Sequence, residues 1–475
     1  MESEWPIVRL GELAKVKGGK RLPKGRMLAE SKTAYPYIRV VDISDGRIDP
    51  SQLCYVPEDV FPKIERYTVN DGEVIISIVG TIGLIAIVPP NLHKANLTEN
   101  AAKITINSDR IDSEFLSWYL KSPKGQHEIK RNTVGSTQPK LPLYGINDFL
   151  IPLPSIDEQR AIAHILGTLD DKIELNRRMN RTLEQMAQAI FKSWFVDFDP
   201  VVYNAVRAGN PVPERFAETA ARYREHPEMQ TLPEDVLALF PDRFVESDDY
   251  GEVPTEWEVK PFGEILSKTI GGDWGKEERD EKHTILSAII RGTDIPELKS
   301  GTKGKTPLRW VEKKKFDKRK LQDGDIVIEI SGGSPTTPTG RSILITNSII
   351  ERLGGVVEPA SFCRLFRPKN KQLGLLATQH LTYIFYQGKT WQYQNQSTGI
   401  SNFQAREFLE KELMPIPNSE QVLKVFFDIC RPMLDYKHSN ESIKLSEVRD
   451  ILLSKLISGE LGVPNEEKVK NNLME

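Results

Sequence analysis

Two kinds of apolar pattern alternate along the chain. Short β-rich runs (YPYIRVVDI, EVIISIV, GLIAIV, AAKITI) share the first 150 or so residues with helical stretches such as SEFLSWYLKS, which Ser113 is placed to cap. This mixture predicts an α+β globular module. After Pro152-Leu153-Pro154 the period changes. Ser155-Ile156-Asp157-Glu158 has the S-x-x-E form that opens a helix by reciprocal capping, and no proline follows until Pro200. Ile162, Leu169, Leu183 and Ile190 fall at one seam position of a heptad and Ile165, Met179 and Met186 at the other, with Asn176 at the remaining inner position. One helix through this segment would be roughly 60 Å long at 1.5 Å per residue, longer than a small domain is wide.

The same order then returns. Trp5 and Leu10-Gly11-Glu12-Leu13 are answered by Trp257 and Phe262-Gly263-Glu264-Ile265. Asp71-Gly72-Glu73 before VIISIV is answered by Asp323-Gly324-Asp325 before IVIEI, Gly135 by Gly399, and Pro152-Leu153-Pro154 by Pro415-Ile416-Pro417. Each pair alone is weak, but a collinear series at a nearly constant offset marks a duplication. From Ser419 to about Ser458 a second helical pattern carries Phe426, Ile429, Met433, Ile443 and Leu452 on a less regular seam. Pro432 lies inside it and predicts a kink or interruption, because proline removes a backbone donor.

Apolar stripes do not stay in water, so the two helices are expected to pack on each other, antiparallel because a whole module separates them; a seam between two copies of the chain is the competing solution. The expected fold class is therefore α+β, with two globular α/β modules joined by two long helices packed as an antiparallel coiled coil, in a pseudo-two-fold internal repeat. Modules are expected at 1–154 and 256–417, helices at 155–197 and 418–460, a linker segment at 198–255 and a flexible tail at 461–475.

With 475 residues, 39% hydrophobic and 28% charged, the chain has the composition of a soluble protein with several cores. The formal charge of -3 excludes a uniformly basic nucleic-acid coat, but it averages unlike segments. Residues 15–26 carry Lys15, Lys17, Lys20, Arg21, Lys24 and Arg26 with no acid, beside Gly18, Gly19 and Gly25. Glycines let backbone amides approach a phosphate, and basic side chains release its condensed counterions. Residues 299–320 are also basic, and Lys303, Lys305 and Arg309 are the better contacts there, beside glycines and Trp310. The run at 313–320 reads equally well as a solvated face. The polar turns at 132–138 and 395–402, with Ser136, Thr137, Gln138, Ser397, Thr398 and Asn402, are candidates for base reading, although glycine and serine also serve plain turns. The acidic stretch from Glu225 to Glu252 would be repelled by phosphates and reads as a solvated linker.

Catalytic and metal-binding motifs are missing. Gly301-Thr302-Lys303-Gly304-Lys305-Thr306 lacks the glycine spacing of a phosphate loop, no H-E-x-x-H or G-x-S-x-G occurs, and Cys54, Cys363 and Cys430 are too far apart for a zinc site. Three cysteines suit a reducing cytoplasm and read as core residues. The start MESEWPIVRLGEL has no signal-peptide pattern, and no run reaches the ~18 apolar residues of a membrane span. A non-catalytic, cytoplasmic protein that binds no metal is expected.

Four strings carry a family resemblance: Pro152 to Gln159, Phe191 to Pro200, Leu239 to Trp257, and Ile451 to Leu461. Together with the order of the elements they make nearly the whole chain resemble the specificity subunits of type I restriction-modification systems. The resemblance implies two target-recognition domains, each contacting one half of a bipartite site in double-stranded DNA, with the helices as a ruler for the gap. It implies two modification (methyltransferase) subunits docked on the helices, joined by restriction/translocase subunits. Those partners would use S-adenosylmethionine, ATP and Mg²⁺, and this chain would bind no cofactor itself. A coiled-coil adaptor that joins proteins without reading DNA is the alternative.

Overall fold

Strand alternation becomes a four-stranded antiparallel sheet in each half of the chain, and the two sheets share one order. The computed structural model describes residues 5–50, 53–332, 337–397 and 400–463, apart from the side chains of Gln396, Ser397 and Ile400. In the first half β1 (Ala14–Gly18), β2 (Val74–Ser77), β3 (Ile85–Ile87) and β4 (Ala101–Ile106) lie in the order β1-β4-β2-β3. In the second, β5 (Leu266–Gly271), β6 (Ile326–Glu329), β7 (Ser342–Leu344) and β8 (Cys363–Pro368) lie in the order β5-β8-β6-β7. Every residue of β2 and β6 is buried, as expected of strands covered on both faces.

Smaller sheets repeat as well. Pro36–Ile38 pairs antiparallel with Cys54–Tyr55 and parallel with Asn96–Leu97, and His283–Ile290 pairs in the same way with Leu308–Glu312 and Val357–Pro359. Each module is closed by pairing its first strand with its last, Ile7–Arg9 with Leu150–Pro152 and Trp257–Pro261 with Leu413–Pro417.

The duplication extends to individual side chains. Asp42 accepts from Arg39 N at 2.7 Å and from Arg39 Nη2 at 2.7 Å; Asp294 accepts from Arg291 N at 3.0 Å and from Arg291 Nη2 at 2.7 Å. At the turn before β2, Glu73 accepts from Asn70 N at 2.7 Å and from Lys103 Nζ at 3.1 Å, while before β6, Asp325 accepts from Gln322 N at 2.8 Å and from Arg367 Nη2 at 2.7 Å. All four acids are buried, so each needs these charge-assisted partners to offset its lost hydration. Gly72 and Gly324, with φ of 78° and 95°, turn the chain as only glycine does easily.

The chain forms two compact units, residues 1–172 with 445–475, and residues 173–444. The core of the first joins Leu10, Ile76, Phe115 and Phe149 to Ile162 and Leu166 of α2 (Ile156–Phe195) and to Leu453 and Leu456. Its helix α1 (Ser113–Lys121) is capped by Asp112, not Ser113: the Asp112 carboxylate accepts from Glu114 N and Phe115 N. Ser155 Oγ does accept from Glu158 N, at 3.3 Å, to begin α2.

The core of the second unit joins Phe191 and Phe195 of α2 to Phe262, Phe366, Phe408 and Phe426. Phe198, Val202, Phe216, Tyr223 and Phe240 are buried in it too. The segment expected to be a linker therefore folds, with helices at Asp199–Ala208 and Ala217–Glu225, and keeps most of its acids at the surface. Its scattered aromatic residues have no period to reveal that role.

The helical seam is displaced from the expected one. Ile162 and Asn176 are buried, Ile165, Leu169, Leu183 and Ile190 are half-buried, and Met179 and Met186 lie at the surface, 37% and 46% exposed. Asp170, Ile173, Asn180, Ala187 and Phe191 are buried instead. Polar residues hold much of this seam, so apolar spacing missed its phase. In the first unit Asp170 accepts from Arg449 Nη1 at 2.7 Å and from Arg47 Nε at 3.0 Å. In the second, Asn176 Nδ2 donates to Glu441 Oε2 at 3.1 Å, Lys437 Nζ lies 2.7 Å from Glu184, and the Phe195 and Phe426 rings are 4.9 Å apart. Rising numbers on one strand of each seam meet falling numbers on the other, which makes the packing antiparallel in both units.

The second helical stretch is two helices, α3 (Glu420–Lys437) and α4 (Glu441–Ser458). Pro432 does not break it: α3 runs through Pro432, with Phe426, Cys430 and Leu434 buried along its length, and the interruption falls at 438–440. Phe426 is buried, while Ile429, Met433, Ile443 and Leu452 are half-buried. The expected tail lies outside the described residues from 464 onward.

Candidate nucleic-acid interface

Strand register brings two segments of each module to one end of its sheet. β1 ends at Gly18 opposite Ala102 and β2 ends at Ser77 opposite Ala101, both at the start of β4. The loop that leaves β1 and the continuation of β2 therefore emerge together. In the second module Gly271 and Glu329, the last residues of β5 and β6, face Arg364 and Cys363 at the start of β8. Glycine follows in both loops where the chain has no space for a side chain: a Cβ at Gly19 would lie 2.1 Å from Thr98 O, and one at Gly272 would lie 2.1 Å from Ala360 O.

The first loop carries the expected cations. Lys17, Lys20, Arg21, Lys24 and Arg26 are all exposed, with Lys17 still on β1. Arg21 Nε lies 3.1 Å from Glu99, and Arg26 is paired to Asp59 at 2.5 Å. Lys20 Nζ sits 5.8 Å from the centre of the Tyr67 ring. Beyond β2, Val79 bridges to Lys140, which bridges in turn to Val134 and closes a turn with Ser136, Thr137 and Gln138 exposed. Gly135 supports that turn with φ of 89°.

The second module supplies charge differently. Its equivalent loop is acidic as well as basic, and Asp280 is held below the usual carboxylate range by hydrogen bonds from Lys276 and His283. A bridge between Lys276 and Trp310 ties this loop to the segment that carries Lys303, Lys305 and Arg309. Lys303 and Lys305 are exposed. Arg309 is the least available of the three: its side chain is 20% exposed, it is paired to Glu277 at 3.0 Å, and it lies 5.2 Å from the Trp274 ring centre.

Beyond β6 a three-stranded ribbon forms from Ser331–Gly332, Ile400–Phe403 and Gln394–Ser397, with Asn402 exposed opposite Asn395. Thr398 and the Ser397 side chain lie outside the described residues. Register pairs Val79 with Lys140 and Ser331 with Asn402, so turn and ribbon occupy the same place in the repeat.

Sequence reasoning missed the Arg39–Asp42 and Arg291–Asp294 pairs, although IRVVDI and IIRGTDI stand at the offset that the tryptophans already define. Glu358 was missed as well. It is fully buried on the strand beside His283–Ile290, neither carboxylate oxygen has a partner, and burial, aided by the charge of Asp273, pushes it up to about 7. Asn96 occupies the equivalent position in the first module, as the pairings of Tyr37 with Asn96 and of Ile289 with Glu358 show. Cys363 and Cys430 are buried and Cys54 is half-buried. Among the described residues no group of three or more His, Cys, Asp or Glu is placed to hold a metal ion, and no helix is long and apolar enough to cross a membrane.

Comparison with known proteins agrees with this architecture. Residues 2–185 match the family model of the type I restriction modification DNA specificity domain. The chain is 26% identical to the specificity subunit of type I restriction enzyme HindI from Haemophilus influenzae, over 90% of this chain and 95% of the relative. It is 23% identical to the MjaIX specificity subunit from Methanocaldococcus jannaschii, over 97% and 94%. The crystal structure of a type I restriction-modification S subunit from M. genitalium shares the fold with a TM-score of 0.50 at 16% identity, covering 95% of this chain and 96% of that one. A duplicated frame, helical segments packed antiparallel and alignment along nearly the whole length of both relatives make the chain similar to the specificity subunits of type I restriction-modification systems, with residues 2–185 matching their specificity domain.

Proposed function

We propose that this chain reads a bipartite duplex DNA target, one module per half-site, and scaffolds the subunits that act on it. DNA-recognition specificity is the role of the family; the split target and the scaffold are the finer reading. One observation carries it: the same frame, fixed by the same buried pairs, presents different side chains at the same sheet end in each module. An unlike pair of half-sites needs such a device. Basic side chains at that end neutralise phosphates, and exposed amide and hydroxyl groups have the donors and acceptors that distinguish base edges.

Two modification subunits and the restriction/translocase subunits are the proposed partners, in the cytoplasm, with the helical segments as their docking scaffold and as the ruler for the gap. S-adenosylmethionine, ATP and Mg²⁺ belong in this reading to the partners, and this chain supplies recognition without catalysis. Random-duplex selection with the chain bound to its modification subunits tests the proposal. Two short motifs at a fixed separation are expected. One continuous motif would overturn the split target, and recovery of no motif would favour the adaptor alternative.

A further inference from the structure

The ribbon of the second module breaks a local rule. Asparagine is depleted in strands because its side chain competes for backbone hydrogen bonds, yet Asn395 and Asn402 stand directly opposite each other in mid-strand. Ser401 and Phe403 turn inward and are buried, whereas Asn395 and Asn402 are exposed. Neither amide makes a side-chain hydrogen bond among the described residues. Among the described residues nothing inside the module accounts for two such residues at this place, and positions where local preference fails without internal compensation are where function is expected.

The ribbon itself carries no charge that would repel a polyanion. No acidic residue occurs in 331–332 or 394–403, and the cations Arg367, Lys371, Lys389 and Arg406 are already paired to Asp325, Asp323, Glu412 and Glu410. The turn in the first module is also free of acids, with none between Glu128 and Asp148, but its outward pair is Val134 and Lys140.

We infer that Asn395 and Asn402 are specificity-determining residues that read adenine in the major groove of the half-site assigned to the second module. A β-ribbon fits that groove, and a carboxamide donates to N7 and accepts from the N6 amino group of adenine at once, a pattern no other base offers there. The first module, with a methyl-bearing side chain and a cation at the equivalent place, would not share the preference. This inference rests on the DNA-reading function proposed above.

The test is random-duplex selection with the chain in complex with its modification subunits, at two salt concentrations. In Asn395→Ala/Asn402→Ala, discrimination for A·T at one or two adjacent positions of one half-site is expected to fall roughly tenfold. The other half-site and the salt dependence should stay unchanged, because amides release no counterions. Asn395→Asp/Asn402→Asp, with acceptors alone, should move the same positions toward C·G, whose cytosine donates from N4. Both positions are exposed, and thermal melting of each variant confirms that the fold is kept. Unchanged preference in both variants, equal loss in both half-sites, or a lower salt slope would overturn the inference. Failure of DNA reading itself is distinct, since the unsubstituted chain would then select no motif.

Discussion

Arg352 Nε donates at 3.0 Å to Oδ1 of Asn440, a residue in the break between α3 and α4. The same guanidinium donates to the carbonyls of Leu298, Thr302 and His438. Burial lowers the Arg352 pKa to about 10, which leaves it charged at neutral pH. One side chain thus satisfies the carbonyl at the end of α3 together with those of Leu298 and Thr302, in and just after the short helix Ile295–Lys299. In Arg352→Ala these buried acceptors lose their donor, at about 1–3 kcal/mol each. A loss of about 3 kcal/mol or more in urea unfolding is expected, with partial recovery in Arg352→Lys; a loss under about 1 kcal/mol would remove the clamp from the account.

Glu358 gives stability a pH dependence of defined sign. Burial, then the charge of Asp273, raises it from about 4.5 to about 7 in the folded chain. The unfolded chain loses this proton near pH 4.5 and the folded chain holds it until about pH 7, so stability falls as pH rises between those values and levels above. Glu358→Gln, which copies the amide of Asn96, should remove this slope and gain on the order of 2–3 kcal/mol at pH 8. Melting temperatures of both proteins across pH 5 to 8 check it, and parallel curves would contradict it.

Glu412 has the opposite sign. Burial would raise it, but hydrogen bonds from His380, Lys389 and Tyr393 bring it down to about 2. Its stabilisation is full above pH 4.5 and is lost as pH falls toward 2. Glu412→Gln should flatten the acid limb of the stability profile and cost about 3 kcal/mol at pH 7. Urea unfolding of both proteins between pH 2 and 7 reads both effects.

The basic loops separate by salt. Arg21→Ala with Lys24→Ala should weaken one half-site and lower the slope of log affinity against log salt by about one unit for each phosphate left without its cation. Lys303→Ala with Lys305→Ala should do the same at the other half-site. Arg309→Ala should leave the slope nearly unchanged, because its guanidinium is already held by Glu277 and Trp274. Binding titrations at several salt concentrations distinguish these outcomes.

The duplication was legible because Trp5 and Trp257, and the two Asp-Gly turns, keep their offset, and each turn proved to precede an equivalent buried strand. Helix α2 was legible from its capping box and its long proline-free run. Its phase was not, since Asp170 and Asn176 are buried with partners distant in sequence, and an apolar period cannot register a hydrogen bond to residue 441. Phe198 and Phe240 looked like parts of a linker for the same reason: their core is assembled by tertiary packing alone. At the candidate interface the cations were visible as a local cluster. Asn395 opposite Asn402 required the strand register, which the sequence does not state.

The buried acids that fix each frame, Asp42 held by Arg39 and Asp294 held by Arg291, lie outside the segments of the ribbon and the turn. In the DNA-reading function proposed above, the exposed positions that read DNA are therefore separate from the buried ones that hold the frame. A change of half-site would then need substitution only at the exposed positions of 132–140 or 394–403, with the inward Ser401 and Phe403 kept because Phe403 belongs to the core of its unit.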